Sequence, residues 1–143
     1  MEHEIIEGIS RADIAFRVRG NTPEELFAAG ARALIAIMVQ DPETLRPTVP
    51  VSFSCSAEKM DLLYFDFLSE IIYYKDSEKL LLVPERLAVS STPEGYSLSC
   101  TMRGDRIDRG RHEFTVDIKA ATLHHLTVER QDGAWFATAV VDV

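Results

Sequence analysis

The chain of 143 residues is 46% hydrophobic and 27% charged, proportions typical of one soluble globular domain. A domain of this size buries roughly 70% of the surface of its unfolded chain, which is enough for a hydrophobic core that needs no disulfide bonds or metal ions for stability. Its formal net charge of −8 repels nucleic acids and anionic membranes and therefore disfavours direct RNA binding.

The first third of the chain predicts two strands followed by a helix. Residues 3–6 end in two apolar side chains, and residues 13–19 alternate between apolar and polar. The helix begins after Thr22, which is a suitable N-cap, with Pro23 at the first helical position and Glu25 completing a capping box. Apolar residues then recur at helical spacing, which predicts one buried face.

The middle third predicts a second helix between strands. Three prolines between residues 42 and 50 mark a linker, and residues 51–55 alternate as a strand. The second helix has Ser56 as a candidate cap and an apolar stripe that extends from Met60 to Tyr74. Its other side carries the acidic residues Asp61, Asp66 and Glu70, which is typical of a solvated helix face.

Two further strands are predicted at residues 80–83 and 87–89, and Pro84 between them favours an edge position or a bulge. A turn near residues 92–95 leads into a strand at 96–102. The following segment, residues 103–111, mixes four arginines with two aspartates, and a short loop of this composition is usually solvated.

The last third predicts strands at residues 113–119, 123–131 and 134–142. Asp132 and Gly133 form the strongest hairpin signal of the chain, because a type I′ turn needs positive φ at both central residues. His124 and His125 are adjacent on the middle strand, so their side chains are expected on opposite faces. Strands joined by hairpins, together with two main helices, predict a single α+β domain over residues 1–143 with a largely antiparallel or mixed sheet.

The two cysteines and the first residues of the chain indicate the cellular compartment that we expect for the protein. Cys55 and Cys100 each lie in an alternating segment and are expected to face the core as small hydrophobes. No apolar run approaches the roughly 20 residues of a membrane helix, and the first residues lack a basic and apolar signal pattern. We therefore expect a cytoplasmic protein with reduced thiols and no membrane partner.

A metal-ion site is one interpretation of the two ends of the chain. Asp142 supplies a carboxylate, and Val143 supplies a carbonyl and a terminal carboxylate. Asp13 opens the second predicted strand, so the three residues meet if the first and last strands are neighbours. Oxygen-only ligands select calcium or magnesium over zinc. The alternative is a strand-end carboxylate that caps a turn beside a frayed terminus.

An ordered set of short motifs resembles the archease family over the full chain. Near the end, the set comprises a Lys-Ala-x-Thr-x-His element from Lys119 to His124, the Asp-Gly turn followed by Trp135, and a terminal Asp-aliphatic pair. Near the start, Ala12 and Asp13 precede a Gly-containing turn and the first helix. The chain departs from the family at Ser10 and Arg11, where archeases usually have His-Thr before Ala-Asp.

The resemblance implies sites and a function. Archeases bind a divalent ion, typically calcium, through the residues that match Asp13, Asp142 and Val143, and magnesium or manganese would suit the same oxygens. Lys119, Thr122 and His124 match the Lys-Ala-x-Thr-x-His element and are expected to contact a partner. The implied partner is the GTP-dependent RNA-splicing ligase, with RNA reached only through that enzyme. Archeases promote guanylylation of the ligase histidine and multiple turnover.

No motif for an independent enzyme accompanies these residues. The sequence lacks a nucleophile elbow, a phosphate-binding loop and a His-Glu-x-x-His zinc pattern. We therefore expect an accessory protein that is not itself an enzyme. The alternatives are a metal-stabilised interaction module and a small metal-dependent phosphoesterase, which would use the ion as a Lewis acid.

Overall fold

The structure, a computed structural model, describes residues 2–6 and 13–143; Ser10 and Arg11, where the sequence departs from the family pattern, lie outside this part. In chain order the elements are β1 Glu2–Ile6, β2 Asp13–Gly20, α1 Pro23–Met38, a 3-10 helix at Pro42–Thr44, β3 Val49–Ala57, α2 Met60–Glu78, β4 Leu80–Thr92, β5 Gly95–Arg106, β6 Ala120–Ala121, β7 Thr127–Gln131 and β8 Ala134–Asp142.

The strands form two antiparallel sheets. The first has the order β1-β2-β8-β6, with β7 also paired to β8, and the second has the order β3-β5-β4. All pairings among the described strands are antiparallel. Helix α1 packs on β2, β4 and β8, and α2 packs on β3, β4, β5 and β6, so the helices join the two sheets. The predicted single α+β domain with two main helices is confirmed.

The core lies where the two helices meet between the sheets. Phe27 of α1 packs its ring 5.2 Å from that of Tyr64 and 5.5 Å from that of Phe67, both on α2. Gly30 permits this approach, because a Cβ added there would lie 2.5 Å from the Tyr64 hydroxyl oxygen. The side chains of Phe27, Tyr64 and Phe67 are fully buried. The close contact between α1 and α2 therefore depends on Gly30, which leaves room for the Tyr64 ring.

Several local predictions are confirmed. The hydroxyl of Thr22 accepts a hydrogen bond from the Glu25 amide at 3.1 Å, as expected of an N-cap. Asp132 and Gly133 have φ of 52° and 79°, the positive pair that a type I′ turn needs. Pro84 lies at an irregularity in the pairing of β4, an edge strand, with β5.

Other predictions are wrong. The predicted strand at residues 113–119 is irregular, apart from an isolated bridge between Val39 and Phe114. Ser56 does not cap α2, because the N-cap is Lys59, and the Leu62 amide in the first turn donates instead to the Asp61 carboxylate at 2.7 Å. The segment at residues 103–111 is not simply a solvated loop, since β5 continues to Arg106 and Asp105 is buried. Each error concerns a feature that depends on contacts distant in sequence.

None of the helices in residues 13–143 is both long enough and apolar enough to cross a bilayer.

Candidate functional site

Asp13 and Asp142 lie directly opposite each other where β2 and β8 pair. Residues in such a pair have Cβ atoms roughly 4.5–5.5 Å apart, and like charges in this arrangement repel. A hydrogen bond shared with the Asp142 side chain raises the pKa of Asp13, and partial burial and the charge of Asp142 raise it further. The predicted meeting of the first long strand with the last strand is thus observed, and it creates a pair of carboxylates that favours a bound proton or a bound cation.

The short strand β6 holds the other side of Asp142. The Lys119 amide donates to the Asp142 carbonyl at 2.8 Å, and Ala120 is paired with Asp142 in the ladder. The side chain of Val143 packs against the hydrophobic core. The end of β8 is therefore anchored from three directions, which fixes where the Asp142 carboxylate can lie.

Thr122 organises the turn that carries His124. Its hydroxyl donates to the Val140 carbonyl at 2.9 Å and accepts from the His124 amide at 3.2 Å. His124 and His125 lie in this turn, and His125 has φ of 53°, so the prediction that both lie on a strand is wrong. The charge of His124 opposes the rise in the pKa of Asp13.

The structure thus brings all six predicted site residues to one edge of the first sheet. Asp13, Asp142 and Val143 end the central strand pair, whereas Lys119, Thr122 and His124 belong to the segment that lies against β8. Lys119 and His124 are exposed to solvent. A half-buried carboxylate pair therefore lies next to a segment that carries an exposed lysine and an exposed histidine.

The side chains at this end of the sheet supply only some of the ligands that a hard cation needs. Among residues 2–6 and 13–143, no group of three or more His, Cys, Asp or Glu side chains could hold an ion. A cation bound between Asp13 and Asp142 would complete its shell with main-chain oxygens of Val143 and with water, as calcium and magnesium readily do. The donor set suits these ions and excludes a zinc site built from thiolates and imidazoles.

Lys75 of α2 supports the segment that leads into β6. Its side chain is only 3% exposed, and Nζ donates to the Ile118 carbonyl at 2.7 Å and to the Asp117 carboxylate at 2.5 Å. A second ion pair joins it to Asp76 at 2.7 Å. The lysine therefore fixes the backbone immediately before Lys119, which itself bonds to Asp142.

Replacing Lys75 by Met should lower the free energy of unfolding by about 1–3 kcal/mol, because the buried Ile118 carbonyl loses its donor. Urea unfolding monitored by circular dichroism would measure the loss. Lys75→Arg is the matched control, since it keeps a cation and donors, and it should lose less. A Lys75→Met variant as stable as the wild type would show that the ammonium group does not hold this segment.

A second polar cluster, which the sequence did not predict, lies at the end of β5. The Asp105 carboxylate accepts hydrogen bonds from Arg111 at 2.7 and 2.9 Å, from the Arg46 amide at 2.8 Å and from His112 Nε2 at 2.8 Å. The Asp108 amide donates to His112 Nδ1 at 3.1 Å, which assigns the remaining proton to Nε2. His112 is therefore a neutral, fully buried donor within a structural cluster.

The two cysteines match their predicted role as small core residues. Burial raises the pKa of Cys55 to about 12 and that of Cys100 to about 11, and nearby acidic residues contribute to both shifts. Both thiols are free and lie on adjacent strands of the second sheet. Because the thiolate is the reactive form, neither cysteine is suited to nucleophilic chemistry at neutral pH.

The chain is similar to relatives of known sequence and of known structure. The chain matches the Archease protein family (MTH1598/TM1083) over residues 4–143. It is 33% identical to Protein archease of Methanopyrus kandleri over 132 residues, covering 92% of this chain and 94% of that protein. Protein archease of Pyrococcus furiosus is 32% identical over 133 residues, covering 92% and 93%.

Two solved structures have the same fold. The solution structure of Methanobacterium thermoautotrophicum protein 1598 superposes with a TM-score of 0.85 at 25% identity, covering 99% of this chain and 98% of that one. The crystal structure of an archease, described as a possible chaperone, from Thermotoga maritima gives a TM-score of 0.64 at 26% identity, covering 99% and 100%. The family resemblance of the motifs is confirmed, and the chain belongs to the archease protein family.

Proposed function

We propose that this protein activates a GTP-dependent RNA-splicing ligase by promoting guanylylation of the ligase and its multiple turnover. The observation that carries the proposal is the pair of carboxylates, Asp13 and Asp142, held side by side at the end of the paired strands β2 and β8. Lys119 and His124 are exposed beside them. Such a surface can present oxygen ligands and positive donors to the metal and nucleotide of a second protein.

A divalent cation, with calcium as the expected ion and magnesium or manganese as alternatives, would be held by Asp13, Asp142 and main-chain oxygens of Val143. When bound, the ion would supply positive charge that orients phosphate oxygens. The residues of this chain would then act by binding and orientation. Asp13 and Asp142 set the position of the ion, Thr122 holds the turn, and Lys119 and His124 offer donors at the rim.

The charge of the chain supports a partner that carries the RNA affinity. A net charge of −8 gives the protein no long-range attraction for RNA, whereas it favours approach to a basic enzyme. The ligase would therefore bind the RNA, and this protein would modify the metal and nucleotide site of the ligase.

No described side chains form a nucleophile and base in register for hydrolysis at this edge. His112 is the described histidine paired with a carboxylate, and it is fully buried in the separate cluster around Asp105. These features favour an accessory role over the alternative of a small phosphoesterase. The other alternative, an interaction module without a ligase, would share the fold and differ in the outcome of the experiment.

The experiment is RNA joining by the ligase encoded in the same genome. The ligase is supplied at a low concentration relative to RNA ends that carry a 2′,3′-cyclic phosphate and a 5′-hydroxyl. Addition of this protein should convert a single turnover into many, and the protein alone should leave both RNA ends unchanged. Joining that stays at one turnover at every protein concentration would favour the interaction module, and end hydrolysis by the protein alone would favour the phosphoesterase.

A tag added after Val143 should impair the ion site even though every side chain is retained. The added residues redirect the main-chain oxygens next to Asp142, whose carbonyl is already bonded to the Lys119 amide. We expect calcium affinity to fall by about tenfold or more, equivalent to roughly 1.4 kcal/mol. Calorimetric titration of proteins tagged at either end would measure this, and equal affinity of the two forms would remove Val143 from the site.

A further inference from the structure

Helix α2 carries apolar side chains on two faces, and the second face is open to solvent. The inner face contributes Leu63, Tyr64, Phe67, Leu68 and Ile71 to the core. On the outer side, Leu62 is 38% exposed and Tyr73 is 57% exposed, and Phe65 is half-buried between them. Exposed apolar side chains that are grouped on one face and rimmed by polar residues mark interaction surfaces more often than single ones do.

The open face forms a defined stripe. With 3.6 residues per turn, Leu62, Phe65, Ser69, Tyr73 and Asp76 follow one line along the helix. These residues and Asp66 are called the α2 outer face below. From Leu62 to Tyr73 the stripe is roughly 16 Å long at 1.5 Å per residue. That length matches three helical turns or about five extended residues of a docked segment.

A groove lies between the α2 outer face and strand β6. It has a volume of about 390 Å³ and is walled on one side by Phe65, Ser69, Tyr73 and Asp76 and on the other by Lys119, Ala120 and Ala121. Ala120 is the residue paired with Asp142. The groove therefore adjoins the carboxylate edge, and one partner can occupy both.

The exposed ring of Tyr73 is held in place before any partner binds. It meets the Tyr74 ring edge-on, with centroids 5.6 Å apart and an interplanar angle of 82°. Tyr74 in turn stacks on Phe53 of β3 at 5.9 Å. Exposed aromatic side chains that lose little freedom on binding are typical anchors of protein interfaces.

The charges around the stripe select the kind of partner. Asp66 and Asp76 lie on the α2 outer face, and Asp61 and Glu70 flank it. Lys75 is buried and paired with Asp76 and Asp117, so it compensates the charge of Asp76. The acidic rim is supplied by Asp61, Asp66 and Glu70. Lys119 lies on the opposite wall of the groove. The surface thus combines apolar anchors with an acidic rim.

We propose that the α2 outer face and its groove dock a basic segment of the partner enzyme that carries an apolar or aromatic side chain. The inference rests on the proposed function and identifies where the ligase is held while its metal site meets Asp13 and Asp142. A second copy of this chain is a poor occupant, because two acidic faces on chains of net charge −8 repel each other. Docking on this face raises affinity, whereas the carboxylate pair acts after docking.

The test measures binding to the cognate ligase and the maximal rate of guanylylation for three variants. Tyr73→Ala removes the anchor, Asp66→Lys reverses a rim charge, and Glu94→Lys makes the same change of net charge at the exposed turn between β4 and β5. Thermal unfolding confirms that each variant is folded. Binding is titrated at low and high salt, since rim charges act mainly at low salt.

Tyr73→Ala should raise the Kd by about tenfold or more, as for a central interface residue, with the rate at saturation unchanged. Asp66→Lys should raise the Kd at low salt by several times more than Glu94→Lys does. If the wild type binds the ligase and these variants bind equally well, the docking face is elsewhere although the proposed function stands. If the wild type itself does not bind the ligase, both are overturned.

Self-association of this chain through the α2 outer face would be detected by sedimentation. Sedimentation of the wild type alone, at concentrations spanning those of the binding assay, should show a single species that Tyr73→Ala does not change. A wild-type dimer that dissociates on Tyr73→Ala would instead assign the α2 outer face to self-association and overturn the proposal.

Discussion

Asp13→Ala and Asp142→Ala should each abolish stimulation of the ligase and remove the stabilisation of the protein by calcium. The two carboxylates are partners across the β2–β8 ladder, so loss of either leaves the ion with one side-chain ligand. A ligand at about 100 times its Kd stabilises the native state by roughly 2.7 kcal/mol, and this increment should be absent in the variants. Thermal unfolding in calcium and in chelator measures it.

The comparison in chelator separates ligand loss from damage to the fold. Each substitution removes one of two like charges that face each other, so stability in chelator should be unchanged or slightly higher. Glu129→Ala is the matched control, because Glu129 is an exposed carboxylate on β7 of the same sheet. It should keep both calcium stabilisation and ligase stimulation. Wild-type calcium dependence in Asp13→Ala and Asp142→Ala would place the ion elsewhere.

Asp105→Ala should cost the protein about 3–5 kcal/mol of unfolding free energy, the largest stability effect of any single polar substitution considered. The carboxylate accepts bonds from Arg111, His112 and the Arg46 amide, and its removal leaves these donors unpaired in a buried place. Urea unfolding measures the loss. Asp105→Asn, which keeps the shape and one acceptor, should lose less, and equal stability of Asp105→Ala and wild type would contradict the role of the cluster.

The same cluster predicts a dependence of stability on pH. Burial alone would raise the pKa of Asp105, but the hydrogen bonds from Arg111, Arg46 and His112 outweigh it and hold the pKa well below its usual range. A depressed carboxyl pKa contributes stability that is fully present above the unfolded value, about 3.9, and is lost as pH falls towards the folded value. The wild type should therefore lose stability below about pH 4, and Asp105→Asn should lose less of it over that interval.

Local signals predicted much of the fold. The Thr22 cap and the Asp132-Gly133 turn depend on a few neighbouring residues, and the structure has both. The opposition of Asp13 and Asp142 was predictable once two strands at opposite ends of the chain were taken as neighbours. The family motifs then indicated which carboxylates to consider among 23 acidic residues.

The features that could not be predicted depend on distant contacts. Residues 113–119 have strand-like periodicity, yet the segment is held instead by the Lys75 side chain from a helix more than forty positions earlier. The bonds of Asp105 to Arg111 and His112 span a turn whose charges alone favour solvent exposure. The exposed apolar face of α2 could not be predicted, because its apolar residues lie on the same side of the helix as its acidic residues.

The most direct test of the account is the rate of GMP transfer from labelled GTP to the cognate ligase, measured in calcium or manganese with and without this protein. The account predicts that the wild type raises the rate of guanylylation by about tenfold or more, equivalent to at least roughly 1.4 kcal/mol of barrier. Asp142→Ala at the same concentration should leave the basal rate. A folded wild-type sample that leaves the rate unchanged at every concentration would contradict the proposal that this archease activates an RNA ligase.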